Sequence, residues 1–197
     1  MAGDGIKLTG DWKLLLQLTD PTKFHHRLNI GVKRAMTKAC LYARKKVKLD
    51  IKAKKYDKNA PMTEAIKGST TPLVDNNELV RSVTHKLFKG GYEAFVGVLK
   101  GTKRGDKDAV DLASVLHDGA IIPVTPKMRR YFFMMFMEGN DGWYPIADDT
   151  TEIVIPPRKF LEAPLSESDV QRRIIWYWMG AIEYAMTGKS DKLTGTL

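Results

Sequence analysis

The sequence predicts an α+β fold in which a small, mainly antiparallel sheet is flanked by two long helices, residues ~21–56 and ~167–186, with shorter helices besides. In both long segments apolar residues recur every three or four positions, the spacing of a helix with one apolar face. Between them lie short β-compatible runs separated by glycine and proline, which predict the sheet. We expect one domain over residues 1–187 and a C-terminal tail over 188–197.

The first long helix is predicted to begin at Asp20-Pro21, because aspartate caps free N–H groups and proline supplies a suitable φ at the first helical position. Its apolar stripe is rich in alanine, so whatever packs against it can approach closely. Between Lys23 and Lys58 there are thirteen basic and two acidic residues. The basic faces are either solvated or a contact surface for DNA phosphates or an acidic partner. The candidates for such contacts are Lys33, Arg34, Lys38, Arg44, Lys45, Lys46 and Lys48.

The other elements follow from turn residues and periodicity. Residues 1–20 are expected to form an N-terminal arm and a short helix, and residues 79–99 a hairpin that turns at Gly90-Gly91. Residues 100–108 contain no apolar side chain and predict a surface loop. The elements expected after this loop are a helix over 109–117, a strand over 121–124, a helix over 127–137, a strand over 151–155 and the last long helix.

The run YFFMMFM at residues 131–137 is apolar on every face if it is helical, so it must be buried all round. That predicts either a central core helix or a helix with one face covered by another subunit, since methionine and aromatic residues are common at interfaces. The apolar residues of the run 174–179 on the last helix also cover a wider part of the helix surface than a single apolar stripe requires. Together the two runs favour a homo-oligomer.

Composition excludes several classes of protein. The chain has 197 residues and a net charge of +9, with 43% hydrophobic and 28% charged residues, which is typical of globular proteins. The single Cys40 rules out an intrachain disulfide and fits a reducing cytoplasm. The longest apolar run, 131–137, is far shorter than the roughly 20 residues of a membrane-spanning helix. The first twelve residues lack the apolar core of a signal peptide. We therefore expect a protein that is neither secreted by that route nor membrane-spanning.

No spacing of residues indicates catalysis or metal binding. There is no glycine-rich phosphate loop and no H-E-x-x-H motif. His25 and His26 are adjacent and would point about 100° apart on a helix, which suits a shared metal poorly. Cys40 is expected to be a buried, inert thiol. The acidic residues within 148–152 predict either a cation site or a solvated loop. We expect no cofactor, no metal and no catalytic residue, and therefore not an enzyme.

Three segments resemble, in order and spacing, the phage virion-morphogenesis and tail-completion proteins, over roughly residues 60–185. PLVDNNELVRSV (72–83) is similar to the family pattern P-L-x-D-T-G-x-L-x-x-S, LHDGA (116–120) to its H-x-G turn, and IPPRKFL (155–161) to I-P-x-R-x-F-[LI]. The residues that carry the resemblance are Asp75, Asn77, Leu79, Ser82, His117, Gly119, Arg158 and Phe160. The chain departs at Asn77, where the family usually has glycine, and at Lys159, where proline is frequent. Asparagine can hold a left-handed turn, so the turn can survive.

The resemblance implies a non-enzymatic structural subunit of a tailed-phage virion, located at the head–tail junction and made in the host cytoplasm. Such proteins are small α+β modules that assemble into rings, which complete the tail or join it to the capsid portal. The implied partners are further copies of the chain in a hexamer or dodecamer, a portal or connector protein, a tail-tube or tail-terminator protein, and DNA in the channel, with no membrane. Arg158 would anchor either a neighbouring subunit or the chain's own carbonyls.

Two other functions stay open. A stand-alone nucleic-acid-binding protein that uses the Lys23–Lys58 helix would bind free duplex tightly, with a steep dependence on salt. A hydrolase would need a convergent polar pocket, and the sequence offers no nucleophile with a positioned base.

Overall fold

The computed structural model describes residues 20–53, 56–60, 63–64, 70–71, 73, 77–99, 103–104, 107–140 and 142–194, with the backbone alone at 103–104 and 107–108. The chain divides into two compact units. Unit 1 holds the described residues of 1–42, 86–95 and 168–197, and unit 2 those of 43–85 and 96–167. The predicted N-terminal arm and short helix lie almost wholly outside the described residues. The single domain expected over 1–187 stays a prediction.

The helices are α1 (Pro21–Lys52), α2 (Glu78–Ser82), α3 (Ala109–Asp118), α4 (Pro126–Met137), α5 (Glu162–Ser166), α6 (Ser168–Thr187) and α7 (Asp191–Thr194). The strands are β1 (Val83–Phe88), β2 (Glu93–Val98), β3 (Lys103–Arg104), β4 (Lys107–Asp108), β5 (Ala120–Pro123) and β6 (Glu152–Ile155). In the described part of the chain they pair two by two, β1 with β2, β3 with β4 and β5 with β6, and the last two pairs are antiparallel. The predicted α+β class, with its two long helices, is confirmed. Among the residues that the structure describes, the strands form separate pairs and do not join into one sheet.

Helix α1 begins as the sequence predicts. The Asp20 carboxylate accepts a hydrogen bond from the Lys23 N–H at 3.1 Å, and Pro21 is the first helical residue. The helix ends at Lys52, four residues before the predicted end. The Ala53 N–H there is shared between the carbonyls of Leu49 and Asp50, at 2.9 and 3.2 Å, as is common in the last turn of a helix.

The core of unit 1 lies between α1 and α6. Ala35 and Ala39 of α1 pack against Tyr177 and Ala181 of α6. A Cβ added to Gly31 would lie 2.8 Å from the carbonyl oxygen of Ala181, so the two helix backbones are nearly in contact. This is the close approach that the alanine-rich stripe predicts.

Helix α7 completes that core. Leu193 is only 5% exposed and packs with the same cluster, although residues 188–197 were expected to form a tail. Gly180 makes room for it, since a Cβ there would lie 2.7 Å from the Cβ of Lys192. The described residues 188–194 are therefore part of unit 1.

The core of unit 2 gathers side chains from the last turns of α1, from α2, β1, β2 and α3, and from the segment after β6. Its buried members are Val47, Ile51, Leu73, Leu79, Val80, Val83, Val98, Ala109, Ala113 and Phe160.

Residues 79–82, expected to start a strand, are helical, because Asn77 reverses the chain at φ 59° and its carbonyl accepts the Arg81 N–H at 2.9 Å. Residues 100–108, expected to be a loop, contain the two-residue strands β3 and β4.

The α4 segment (residues 120–155) consists of β5, α4, a connection and β6. Ala120 pairs with Ile155 and Pro123 with Glu152 at its base. As the threonine–proline signal predicts, the Thr125 hydroxyl accepts the Met128 N–H at 3.2 Å where α4 begins. None of the residues that the structure describes in this segment is fully buried.

The prediction that residues 131–137 form a core helix buried all round is therefore wrong. Tyr131, Phe133 and Met137 are 51, 52 and 67% exposed. The ring of Trp143, in the connection after α4, packs edge-on against Tyr131 and Phe132, with centroid distances of 5.6 and 5.2 Å. No described residue of α4 belongs to the buried core of unit 2, and much of the apolar surface of α4 is exposed. The alternative of a face covered by another subunit stays open.

Candidate functional site

The motif residues of unit 2 are mostly internal. Leu79, Ser82, Arg158 and Phe160 are buried, and the Ser82 hydroxyl donates to the carbonyl of Leu79 at 2.8 Å. These four therefore hold the fold and offer little surface to a partner. Asn77 lies at φ 59° and ψ 15°, the left-handed conformation expected for it. Asp75 lies outside the described residues.

The structure brings the second and third motifs together. The Arg158 N–H donates to the carbonyl of Leu116 at 3.0 Å, and the rings of His117 and Phe160 meet edge-on at 5.3 Å. Gly119 has φ +79°, and a Cβ on it would lie 2.7 Å from the carbonyl oxygen of Ile155. These contacts attach the base of the α4 segment to the rest of unit 2.

An exposed ion pair joins the same two motifs. The Lys159 ammonium lies 3.0 Å from the Asp118 carboxylate. This hydrogen bond holds the pKa of Asp118 below its usual range. Both side chains are about half exposed, so the pair adds little stability.

The Arg158 guanidinium turns towards its own chain. Its Nη2 lies 3.4 Å from the carbonyl oxygen of Asp57 and 3.5 Å from the Asn59 side-chain oxygen, which are long hydrogen bonds. Of the two roles left open for Arg158, these contacts favour an anchor to the chain's own carbonyls. Beside it is a mainly apolar cavity of about 340 Å³, whose other polar lining residues, among those described, are Asn59, Thr63 and Glu78.

Several of the basic candidates on α1 are engaged within the chain. The Arg34 guanidinium lies over the Tyr184 ring, 5.0 Å from its centroid. Lys46 pairs with Glu167 at 2.7 Å. The Lys33 stem lies against Gly91, where a Cβ would come within 2.8 Å of the lysine Cγ.

Basic side chains lie close together near the end of α1. Partial burial first, and then the charges of Arg44 and Lys52, lower the pKa of Lys48. Lys45 is exposed on the same stretch, and Lys38 is half-buried about two turns earlier. Crowded cations attract an acidic surface or nucleic-acid phosphates, and the structure is compatible with either partner.

His85 is expected to titrate below the 6.5 of an ordinary histidine, first because it is partly buried and second because Arg44 is close. The Arg44 Nη1 lies 3.4 Å from the His85 Nδ1, and since a guanidinium can only donate, this contact favours a neutral ring with Nδ1 as acceptor. Because folding favours the neutral ring, its contribution to stability is present above pH ~6.5 and is lost as the pH falls. NMR titration should give a lowered pKa that rises part of the way back in Arg44→Met. An unchanged pKa in that variant would contradict the contact.

Cys40 is expected to react slowly with Ellman's reagent in the folded chain. The residue is 4% exposed, and burial raises the pKa of its thiol, so little thiolate is present at neutral pH. The reaction should be at least about tenfold faster after unfolding in guanidinium chloride. Rapid stoichiometric labelling of the native chain would show that the thiol is accessible.

Among the described residues, exposed apolar side chains are grouped in the α4 segment and on α6, and others include Phe88, Tyr92 and Phe95 of the β1–β2 hairpin. In the α4 segment, nine large apolar side chains are between 37 and 67% exposed: Ile121, Ile122, Tyr131, Phe133, Met134, Phe136, Met137, Tyr144 and Val154. On α6, Ile175, Met179 and Ile182 are each more than half exposed. The sequence pointed to the aromatic and methionine runs but not to Ile121, Tyr144 or Val154, because short strands and loops carry no helical periodicity.

Arg129 holds the α4 segment together, a role that the sequence did not predict. Its guanidinium donates to the carbonyls of Ala147 at 2.6 Å and Thr150 at 2.5 Å, and reaches those of Ile146 and Asp148 at 3.3 and 3.2 Å. A single arginine among other basic residues carries no sequence signal for such a role. Its consequence is an ordered connection between α4 and β6.

Two absences concern only the part of the chain that the structure describes. No helix there is long and apolar enough to cross a membrane. No group of three or more histidine, cysteine, aspartate or glutamate side chains there could hold a metal ion. Asp148, Asp149 and Glu152 thus do not form the cation site that the sequence left open, and their exposure fits a solvated loop.

Comparison with known proteins identifies no family: no family model, no curated protein and no solved structure matches this chain.

Proposed function

We propose that this chain is a non-enzymatic structural subunit of a tailed-phage virion, which forms a closed ring at the head–tail junction and completes the tail or joins it to the head. The observation that carries the proposal is the exposed apolar surface of the α4 segment. Its side chains belong to a helix, two strands and a connection that are held in place by Arg129 and Trp143. An ordered apolar surface without a core beneath it is typical of an assembly interface.

Ring closure requires a heterologous interface, in which two different patches of each subunit meet head to tail. The chain offers two such patches, the α4 segment and the exposed side of α6. The internal contacts of the motif residues support the resemblance in one respect, since those residues build the scaffold that carries the α4 segment. We propose further copies of the chain in a hexamer or dodecamer, a portal or connector protein and a tail-tube or tail-terminator protein as the partners.

The particle-assembly experiment uses a phage whose genome encodes this chain. A stop codon placed early in the gene should give filled heads together with unattached or abnormal tails, seen by electron microscopy, and few infectious particles. The wild-type gene supplied on a plasmid should restore plaques, whereas a plasmid copy with the same stop codon should not. Normal infectious particles without the protein would refute the proposal.

The second candidate is a stand-alone nucleic-acid-binding protein that uses α1. The crowding of Arg44, Lys48 and Lys52 favours it. Fluorescence anisotropy with a 30-base-pair duplex separates the two functions. Stand-alone binding requires the isolated subunit to bind with an affinity that falls about 10³-fold or more between 50 and 200 mM salt. Lys45→Glu should then weaken binding strongly, whereas the exposed Lys127→Glu on α4 should not. A DNA contact confined to the assembled ring predicts weak binding by the subunit.

A further inference from the structure

We infer that the α4 segment of one copy docks on the exposed stripe of α6 of a second copy. This α6 stripe consists of Arg172, Ile175, Met179 and Ile182. The inference rests on the proposed ring and names the two surfaces that meet in it.

The amount of apolar surface on the α4 segment fits a subunit interface. Nine large side chains are each about half exposed, and at roughly 100 Å² for each they offer about 900 Å². One partner in an interface of standard size contributes about 800 Å², whereas the largest apolar patch of an ordinary monomer is about 300–600 Å². The exposed apolar surface of the segment is thus as large as one side of a standard interface, and a contact through one face of α4 would cover only part of it, because Tyr131 lies on the opposite side.

One face of α4 suits helix-to-helix docking. Phe133, Phe136 and Met137 lie within about 100° of one another around the helix, and all three are exposed. Tyr131 lies on the opposite side, where it packs against Trp143. The first three side chains form a compact apolar ridge, which can fit a groove of a second helix.

The α6 stripe offers that groove. Its four residues follow each other in steps of three, four and three, so they share one side of the helix. The other side of α6 is already used, because Tyr177 and Ala181 are buried in the core of unit 1. The apolar part of the stripe is exposed over two turns, which is long enough to receive the α4 ridge of about one turn.

Charge favours a second copy of this chain as the occupant. The α4 segment has three basic and five acidic residues, a net charge of −2, in a chain whose net charge is +9. Asp148 and Asp149 are exposed beside the first turns of α4, since Arg129 binds the backbone there. The α6 stripe begins at Arg172, beside a shallow depression that Arg173 and Asp169 also line, so the charge there is net positive. Placing the two aspartates at that end brings opposite charges together.

The same charges argue against a symmetric contact between two α4 segments. Each α4 segment has a net charge of −2, so bringing two of them together is electrostatically unfavourable. A contact between α4 and α6 is heterologous. An open assembly therefore has a free α4 segment at one end and a free α6 stripe at the other, and these two surfaces meet when the ring closes.

Disulfide trapping tests the contact in the full chain, in a Cys40→Ala background. Met137→Cys lies on the docking face and Met179→Cys in the α6 stripe. After mild oxidation, a mixture of the two single-cysteine variants should give a covalent dimer containing one chain of each. A chain that carries both cysteines should give a ladder of higher oligomers. The control is Tyr131→Cys with Met179→Cys, because Tyr131 is similarly exposed on the opposite side of α4. Equal cross-linking in the control, or none in the test pair, overturns the inference.

A charge exchange provides a second measurement, and it changes only exposed side chains. Asp148→Lys with Asp149→Lys, and separately Arg172→Glu, should each raise the concentration at which the chain assembles by about tenfold or more, measured by analytical ultracentrifugation. Mixing the two variants should restore most of the assembly. Assembly that is unaffected by either change overturns the inference but leaves the ring proposal standing. A chain that stays monomeric at every concentration also overturns it, and the stop-codon experiment then decides the proposed function by itself.

Discussion

Phe160→Ala is expected to lower the free energy of unfolding by about 3–5 kcal/mol, the loss typical of a buried phenylalanine. Phe160 is completely inaccessible to solvent in the core of unit 2, and its ring meets His117 edge-on. Alanine would leave a cavity at the point where the segment after β6 joins α3. Because a domain of this size typically has about 5–15 kcal/mol of stability, much of unit 2 should be unfolded in mild denaturant. Urea titration followed by far-ultraviolet circular dichroism measures the loss.

The matched control is Phe133→Ala on α4. It removes the same ring from a side chain that is 52% exposed, so stability should change by less than about 1 kcal/mol. In a ring-forming chain this variant should instead weaken assembly. Equal losses of stability in the two variants would contradict the burial of Phe160.

Among substitutions that add a single methyl group, Gly119→Ala is expected to cause the largest loss of stability. The residue has φ +79°, where a side chain costs about 1–2 kcal/mol. Its Cβ would also lie 2.7 Å from the Ile155 carbonyl oxygen and 3.0 Å from the Pro157 nitrogen. Backbone must therefore move, which adds about 1–3 kcal/mol. Thermal unfolding gives the loss of stability. Hydrogen exchange should show faster exchange of the Val124 N–H, which donates to the Thr151 carbonyl beyond the β5–β6 pair.

Gly139→Ala isolates the backbone part of that effect from the steric part. Gly139 also has a positive φ, +72°, but no described atom lies within 4 Å of a Cβ placed on it. It should therefore show the backbone cost alone, with protection of β5 and β6 unchanged. If Gly119→Ala and Gly139→Ala are equally destabilising, the close approach between Gly119 and Ile155 is absent in solution.

The sequence predicts those parts of the fold that local chemistry determines. The start of α1 at Asp20 and that of α4 at Thr125 follow from side chains that cap their own helices. The periodicity of α6 gives its length to within a residue or two. Asn77 adopts the left-handed turn for a reason visible in its own side chain.

The parts that the sequence misses depend on distant partners. An apolar helix is expected to be buried, but the periodicity of its residues does not show whether a core has room for it. For this reason the prediction that α4 is a core helix is wrong. Leu193 joins a core only because Gly180, thirteen residues earlier, leaves space. The role of Arg129 depends on four carbonyls that lie seventeen to twenty-one residues away. None of these contacts leaves a local pattern in the sequence.

The Arg129 hydrogen bonds have a kinetic consequence. Residues 146–150 are already fixed before any partner arrives, so association does not have to order them, and their conformational entropy has been lost during folding. A rigid docking element loses little on contact and should associate at the rate of preformed surfaces, about 10⁵–10⁷ M⁻¹s⁻¹, without a slow ordering phase. Lysine at this position has a single ammonium group and cannot reproduce the planar fork, so it would return the connection to a flexible chain.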